Sequence, residues 1–148
     1  MCDTTCYTAA LATMGKKQLS ELRPGLTKTL THKVAFRWTI AAYDQRLPPV
    51  LSTPAMIGMM EATAAQVLKP YLPKGSISVG THINVSHRAP AGVGARVRFK
   101  AELTEIKDRR YRFAVRAQAG TTLLGEGSVE RAVVALASFR QRFQAKKK

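Results

Sequence analysis

Cysteine is scarce in this sequence. The only two, Cys2 and Cys6, lie close together at the N-terminus of the 148-residue chain. A disulfide within the rest of the chain is therefore excluded, and an isolated C-x-x-x-C pair without nearby histidine is a poor metal site. We predict no metal and no cofactor, and we expect a reducing, cytoplasmic location because no disulfide has to be kept.

Long apolar runs are also missing. No stretch approaches the ~18 apolar residues of a membrane span, so we predict no membrane partner. The N-terminus lacks the basic segment that precedes the apolar core of a signal peptide. Pro24-Gly25 breaks the chain. We therefore predict a disordered leader over 1–25, one domain over 26–140 and a basic tail over 141–148.

Acidic residues are few: nine Asp and Glu stand against 24 Lys and Arg, a formal charge of +15. Such a chain attracts polyanions, which include nucleic acid, anionic membranes and small ligands that carry several phosphates. Exposed aromatic residues that could stack on bases do not alternate with the basic residues, because Tyr111 and Phe113 share the apolar parity of their strand. This argues against nucleic acid as the partner.

One long apolar helix is predicted in the middle of the chain. Ser52-Thr53-Pro54 is typical of a helix start, with a hydroxyl residue at the N-cap and proline at the first helical position. The segment then stays apolar on nearly all sides up to Leu72, which predicts a buried helix over 54–72.

The remaining patterns have period two and predict strands. They cover the segments Lys33–Trp38, Ile77–His87, Arg96–Leu103, Arg110–Ala117 and Thr121–Leu136. The short loops between them favour antiparallel pairing. We predict an α+β fold in which a curved antiparallel sheet wraps around the helix. Because one helix cannot cover the whole sheet, we also expect a homodimer or larger homo-oligomer.

Glu61 is the one charged side chain between Leu47 and Leu68. A carboxylate in so apolar a setting is costly to keep ionised unless a partner supports it. The alternative is that Glu61 lies on a narrow exposed strip of the helix, and the pattern alone leaves both interpretations open.

Thr53 and His87 are the other candidates for chemistry. Thr53 lies two turns before Glu61, and its hydroxyl could simply cap the helix. His87 ends a strand whose apolar residues share its parity, although a single histidine there is more often structural. We interpret His32 and His82 as structural. A threonine, a carboxylate and an imidazole together could activate water against an acyl group.

Three segments resemble the fluoroacetyl-CoA thioesterase family of hot-dog proteins. They are VLSTPAMIGMME at 50–61, GSISVGTHINVSH at 75–87 and GEGSVERAVV at 125–134. The spacing of eight residues from Thr53 to Glu61, and of twenty-six from Glu61 to His87, is similar to that of the family. The resemblance covers residues 31–139.

This resemblance implies a hot-dog fold and an acyl-CoA thioesterase whose site lies at a dimer interface. Thr53 would orient or attack, Glu61 would act as base or nucleophile, and His87 would activate water. The N–H of Gly80 would hold the thioester oxygen, and Arg131 would contact the substrate. Coenzyme A, as part of the substrate, gives the basic strands a phosphate partner.

Two departures from the family pattern put a fluoroacetyl substrate in doubt. The segment before the helix, 41–50, carries Tyr43 but no phenylalanine, and Val129 stands where the family often has histidine. Other functions stay open: a ligand-binding hot-dog protein without turnover, a nucleic-acid-binding protein, or a hydratase. The last lacks its usual pairing of histidine with a carboxylate in another motif.

Overall fold

The computed structural model describes residues 17–144. Its elements, in chain order, are β1 (Thr27–Lys33), α1 (Thr53–Leu68), β2 (Ser76–His87), β3 (Arg96–Lys107), β4 (Arg110–Ala119), β5 (Thr122–Ala135) and α2 (Leu136–Gln144). The strands form one antiparallel sheet in the order β1-β3-β4-β5-β2, and α1 packs against all five. The predicted α+β architecture is confirmed.

The core lies between α1 and the inner face of the sheet. Alternate residues of β3 and β4 are buried there, as their sequence pattern predicts: Val97, Phe99, Ala101, Leu103, Tyr111, Phe113, Val115 and Ala117. The residues between them are mostly basic and face solvent. The arginines of these strands therefore follow from a sheet that has one apolar face and one wet face.

Helix α1 begins and ends close to the predicted residues. It gives way at Lys69 to a short 3₁₀ turn, Lys69–Tyr71, because Pro70 has no N–H to continue the helical hydrogen bonds. The prediction that the helix is buried all round is wrong. A stripe of small and polar residues, Gly58, Ala62 and Gln66, is exposed.

The first strand lies earlier than predicted. Phe36–Trp38 is a 3₁₀ turn, and β1 occupies Thr27–Lys33 instead. Its outward residues are threonines, whose β-branched side chains suit a strand but add little to an apolar pattern. His32 points inward, against the rings of Trp38 and Phe99, with ring centroids 6.1 and 5.8 Å away.

The two ends of the domain extend beyond the predicted boundaries. Leu22 is buried in the core, and the N–H of Gly25 donates to the carbonyl of Leu103, so residues 17–25 of the predicted leader pack on the sheet. Residues 1–16 lie outside the described part. Helix α2 includes residues 141–144 of the predicted tail. Residues 145–148 lie outside the described part of the chain. Among the described residues, no helix is long and apolar enough to cross a membrane.

Candidate active site

Thr53 and His87 meet at the N-terminal end of α1. The Oγ1 of Thr53 and the Nδ1 of His87 share a hydrogen bond of 2.7 Å. Thr53 is free to make it because Ser52 is the N-cap and accepts from the N–H of Ala55. The alternative in which Thr53 itself caps the helix is therefore wrong, and its hydroxyl lies outside the capping arrangement.

A β-bulge in β2 decides which residues face the helix. The pairing with β5 shifts by one residue between Gly80 and His82, so Thr81 is the extra residue. Such a shift moves the following side chains to the other face of the sheet. The prediction of one parity from Ile77 to His87 is thus wrong, because Ile77 lies on the outer face whereas His87 lies on the inner one.

Glu61 lies about two turns further along α1 and is held by a buried arginine. Nη1 of Arg131 donates to Oε2 of Glu61 at 3.3 Å. The same guanidinium donates from Nε to Oγ of Ser78 at 3.1 Å and from Nη2 to the carbonyl of Ser78 at 2.9 Å. Each nitrogen of this guanidinium already donates a hydrogen bond. Arg131 therefore holds Glu61 through one nitrogen and Ser78 through the other two.

The charge pair is partly shielded from water. The Arg131 side chain is 10% exposed and that of Glu61 is 28% exposed. Burial lowers the pKa of the Arg131 guanidinium, and the negative charge of Glu61 acts in the opposite direction. The pair supplies the support that an ionised carboxylate in this apolar segment requires.

Gly80 lies directly against the carboxylate. A Cβ at this position would be 3.0 Å from each oxygen of Glu61. Gly80 pairs with Arg131 across the sheet, next to the bulge. The missing side chain therefore lets the carboxylate approach the backbone of β2, where an N–H could serve a developing negative charge.

Among the described residues, the predicted site residues form two groups. Thr53 contacts His87, whereas Glu61 contacts Arg131 and lies beside Gly80. Eight helical residues separate Thr53 from Glu61, which places their backbones about 12 Å apart. The predicted site residues are thus arranged in two half-sites, with no direct hydrogen bond between them among the described residues.

Two contributors were missed by sequence reasoning. Ser78 holds Arg131, but its inward direction depends on the bulge, which the sequence pattern does not place. Ser52 was one of two adjacent hydroxyl residues that could cap the helix. His82 is exposed on the outer face, and no group of three or more His, Cys, Asp or Glu in the described part could hold a metal.

Comparison with known proteins places this arrangement in a family. The sequence model of the fluoroacetyl-CoA-specific thioesterase family matches residues 34–137. The chain belongs to this family. The fluoroacetyl-CoA thioesterase of Streptantibioticus cattleyicolor is 37% identical over 99 residues, which are 67% of this chain and 71% of that protein. The family assignment made from the three segments is confirmed, and with it membership of a family of thioester hydrolases.

Solved structures of family members and other hot-dog proteins have the same fold. A structure of fluoroacetyl-CoA thioesterase FlK is 32% identical, with a TM-score of 0.81 over 86% of this chain and 98% of that chain. A hot-dog-like protein from Thermanaerovibrio acidaminovorans is 25% identical, with a TM-score of 0.80 over 86% of this chain and 94% of its own. The predicted hot-dog fold is confirmed.

Proposed function

We propose that the protein hydrolyses acyl-CoA thioesters to the free acid and coenzyme A, at a site that two subunits complete together. The observation that carries this proposal is the pair of half-sites. One holds an imidazole fixed by a hydroxyl, and the other holds a carboxylate fixed by Arg131 against a glycine backbone. Family membership supports the thioester as the substrate class.

The chemistry follows from what each group can do. The hydrogen bond between Thr53 and His87 orients the imidazole. When Nδ1–H of His87 donates to the Thr53 hydroxyl, the other ring nitrogen, Nε2, is free to accept a proton from water. Glu61 serves as a base for that water or attacks the carbonyl carbon itself. In both routes one water is consumed, its oxygen ends in the carboxylic acid, the C–S bond breaks, and the sulfur leaves as a thiol that carries one proton.

Gly80 and Arg131 support this reaction without taking protons. The N–H of Gly80 donates to the carbonyl oxygen as it becomes negative, a fixed donor of the kind that stabilises an oxyanion. Arg131 acts as a positioning residue, because its bonds to Ser78 fix the guanidinium that in turn fixes Glu61.

The free edge of β2 supports dimerisation. This strand ends the sheet, is 12 residues long, and contains neither the proline nor the lysine that protect exposed edges. Ile83, near its middle, is 41% exposed. Antiparallel pairing of two such strands about a two-fold axis near Asn84 brings His87 of one subunit close to the partner's Gly80. Each complete site then combines Thr53 and His87 with the partner's Glu61.

Steady-state thiol release from a panel of acyl-CoA esters tests the activity. Glu61→Gln keeps size and hydrogen bonding but removes the base or nucleophile, so turnover should fall by ~100-fold or more with little change in substrate affinity. His87→Ala should behave similarly, and His82→Ala should be nearly silent. If folded Glu61→Gln and His87→Ala both keep near-normal turnover, the site is wrong and a binding protein without turnover becomes the better account.

A further inference from the structure

A shallow depression opens beside the Thr53–His87 pair. Its volume is about 320 Å³, and its lining consists of Ile40, Val50, Leu51, Thr53, His87, Arg88, Ala89 and Pro90. Apart from the bonded Thr53–His87 pair, the one polar side chain in this set is Arg88. Its guanidinium lies 3.3 Å from Glu126, an outer-face residue of β5. The wall next to the reacting groups is therefore aliphatic.

The backbone of this wall offers little to a polar ligand. Its N–H groups donate within the protein, in the pairs Ile40 to Val50, Val50 to Pro48, Leu51 to Ala91, and Arg88 and Ala89 to Leu124. Pro90 has no N–H to donate. An amide buried without a partner loses free energy relative to water, whereas a hydrocarbon loses none. The wall consequently suits an acyl chain and does not suit the two amides of the pantetheine arm.

The size of the depression sets only an upper limit on the length of chain it can hold, because the depression is open to solvent. A methylene takes up about as much space as a water molecule, whose share of the liquid is roughly 30 Å³. A two-carbon acyl group would leave most of the aliphatic wall uncovered.

We infer that the substrate carries an apolar acyl chain longer than acetyl, up to about eight carbons, whose methylenes lie on Ile40, Val50 and Pro90 and gain free energy by leaving water. This inference rests on the proposed function, because it assigns the acyl end of the thioester to the depression. It separates the preferred substrate of this chain from the fluoroacetyl group named for its relatives.

The test is thiol release from acetyl-, fluoroacetyl-, butyryl-, hexanoyl- and octanoyl-CoA with the full-length protein. We expect kcat/KM to rise roughly threefold to fourfold for each methylene added within the depression. Ile40→Phe fills the wall and should lower kcat/KM for hexanoyl- and octanoyl-CoA by about tenfold more than it lowers kcat/KM for acetyl-CoA. Val50→Phe makes the same test at a second position of the wall.

Ile106→Phe is the matched control. Ile106 is 37% exposed on β3 and does not line the depression. The dependence of kcat/KM on acyl-chain length should therefore be the same for the Ile106→Phe variant as for the wild type. Highest kcat/KM for acetyl- or fluoroacetyl-CoA overturns the inference but leaves the proposed function standing. The inference is also overturned if Ile40→Phe and Val50→Phe each show the same dependence of kcat/KM on chain length as Ile106→Phe. Absence of thiol release from every ester overturns the proposed function, and the inference with it.

Discussion

Glu61 is the one carboxylate among the candidate site residues. It lies in an apolar helix, is paired with Arg131 and lies close against Gly80. Removing one member of a partly buried ion pair leaves the other without compensation. We therefore expect the position of the Glu61 carboxylate to be sensitive to small changes in the side chains around it.

Gly80→Ala tests that sensitivity. The new Cβ would lie 3.0 Å from each carboxylate oxygen, so the flexible Glu61 side chain must move away from β2. Because even a shift of a few tenths of an ångström moves a reacting group, we expect turnover to fall by roughly threefold to tenfold while the melting temperature changes little. The measurement is thiol release together with thermal unfolding.

Gly92→Ala is the matched control for this change. A Cβ at Gly92 meets nothing within 4 Å, so both turnover and stability should stay near the wild-type values. Equal activity of the two variants would show that the position of Glu61 against Gly80 does not matter for catalysis.

The sequence could single out the candidate residues of the site but not the residues that hold them in place. Glu61 stands out because no other charge lies in its segment. Ser78 could not be identified, because its inward direction depends on a bulge near Gly80. The contact of Arg131 with Glu61 spans 70 positions of the chain, and no local pattern encodes such a distance.

Among the elements, the N-terminal end of α1 has two adjacent hydroxyl residues with different tasks. Ser52 is 1% exposed and caps the helix, whereas Thr53 is exposed and contacts His87. Both residue types favour helix starts, so the sequence predicted where the helix begins but not which hydroxyl caps it. The position of the first strand was also predicted wrongly. Threonines fill the outward positions of β1, so its sequence has no clear apolar alternation.

A pair of substitutions separates these two tasks. Ser52→Ala removes the cap and should lower the free energy of unfolding by about 1 kcal/mol while the folded protein keeps most of its turnover. Thr53→Ala should change stability by less than ~0.5 kcal/mol, yet it should lower turnover by at least about tenfold because His87 loses its orientation. Denaturant unfolding and thiol release are measured on both. If Ser52→Ala lost turnover and Thr53→Ala lost stability instead, the division of tasks between the two hydroxyls would be wrong.

For the whole molecule, the charge of +15 is partly offset on the outer face of the sheet. Arg112 pairs with Glu105 and Glu130, and Arg116 pairs with Glu126. Such exposed pairs add little stability, but they lower the local positive potential. In contrast, Arg96, Arg98 and Lys100 lie on the outer face of β3 without a carboxylate partner within residues 17–144, and they keep the local potential positive.

The fold as a whole could be predicted because its pattern is regular. Alternation in β3 and β4, a long apolar helix and short loops lead to a sheet around a helix. Assembly is harder to predict, because a single chain does not show what covers the edge of β2. A two-fold partner on β2 is our proposal for how the Thr53–His87 pair and Glu61 come together.

Mixing of two inactive variants tests this account most directly. If each site combines Thr53 and His87 with the partner's Glu61, a dimer of one Glu61→Gln and one His87→Ala subunit contains one intact site. Random exchange of subunits in an equimolar mixture should then restore about a quarter of the wild-type activity, because half of the dimers are mixed and each has one working site of two. Thr53→Ala mixed with His87→Ala should restore nothing, since both changes affect the same half-site. If the Glu61→Gln and His87→Ala mixture stays at the level of its parents after exchange is shown by mass spectrometry, the site does not span two subunits.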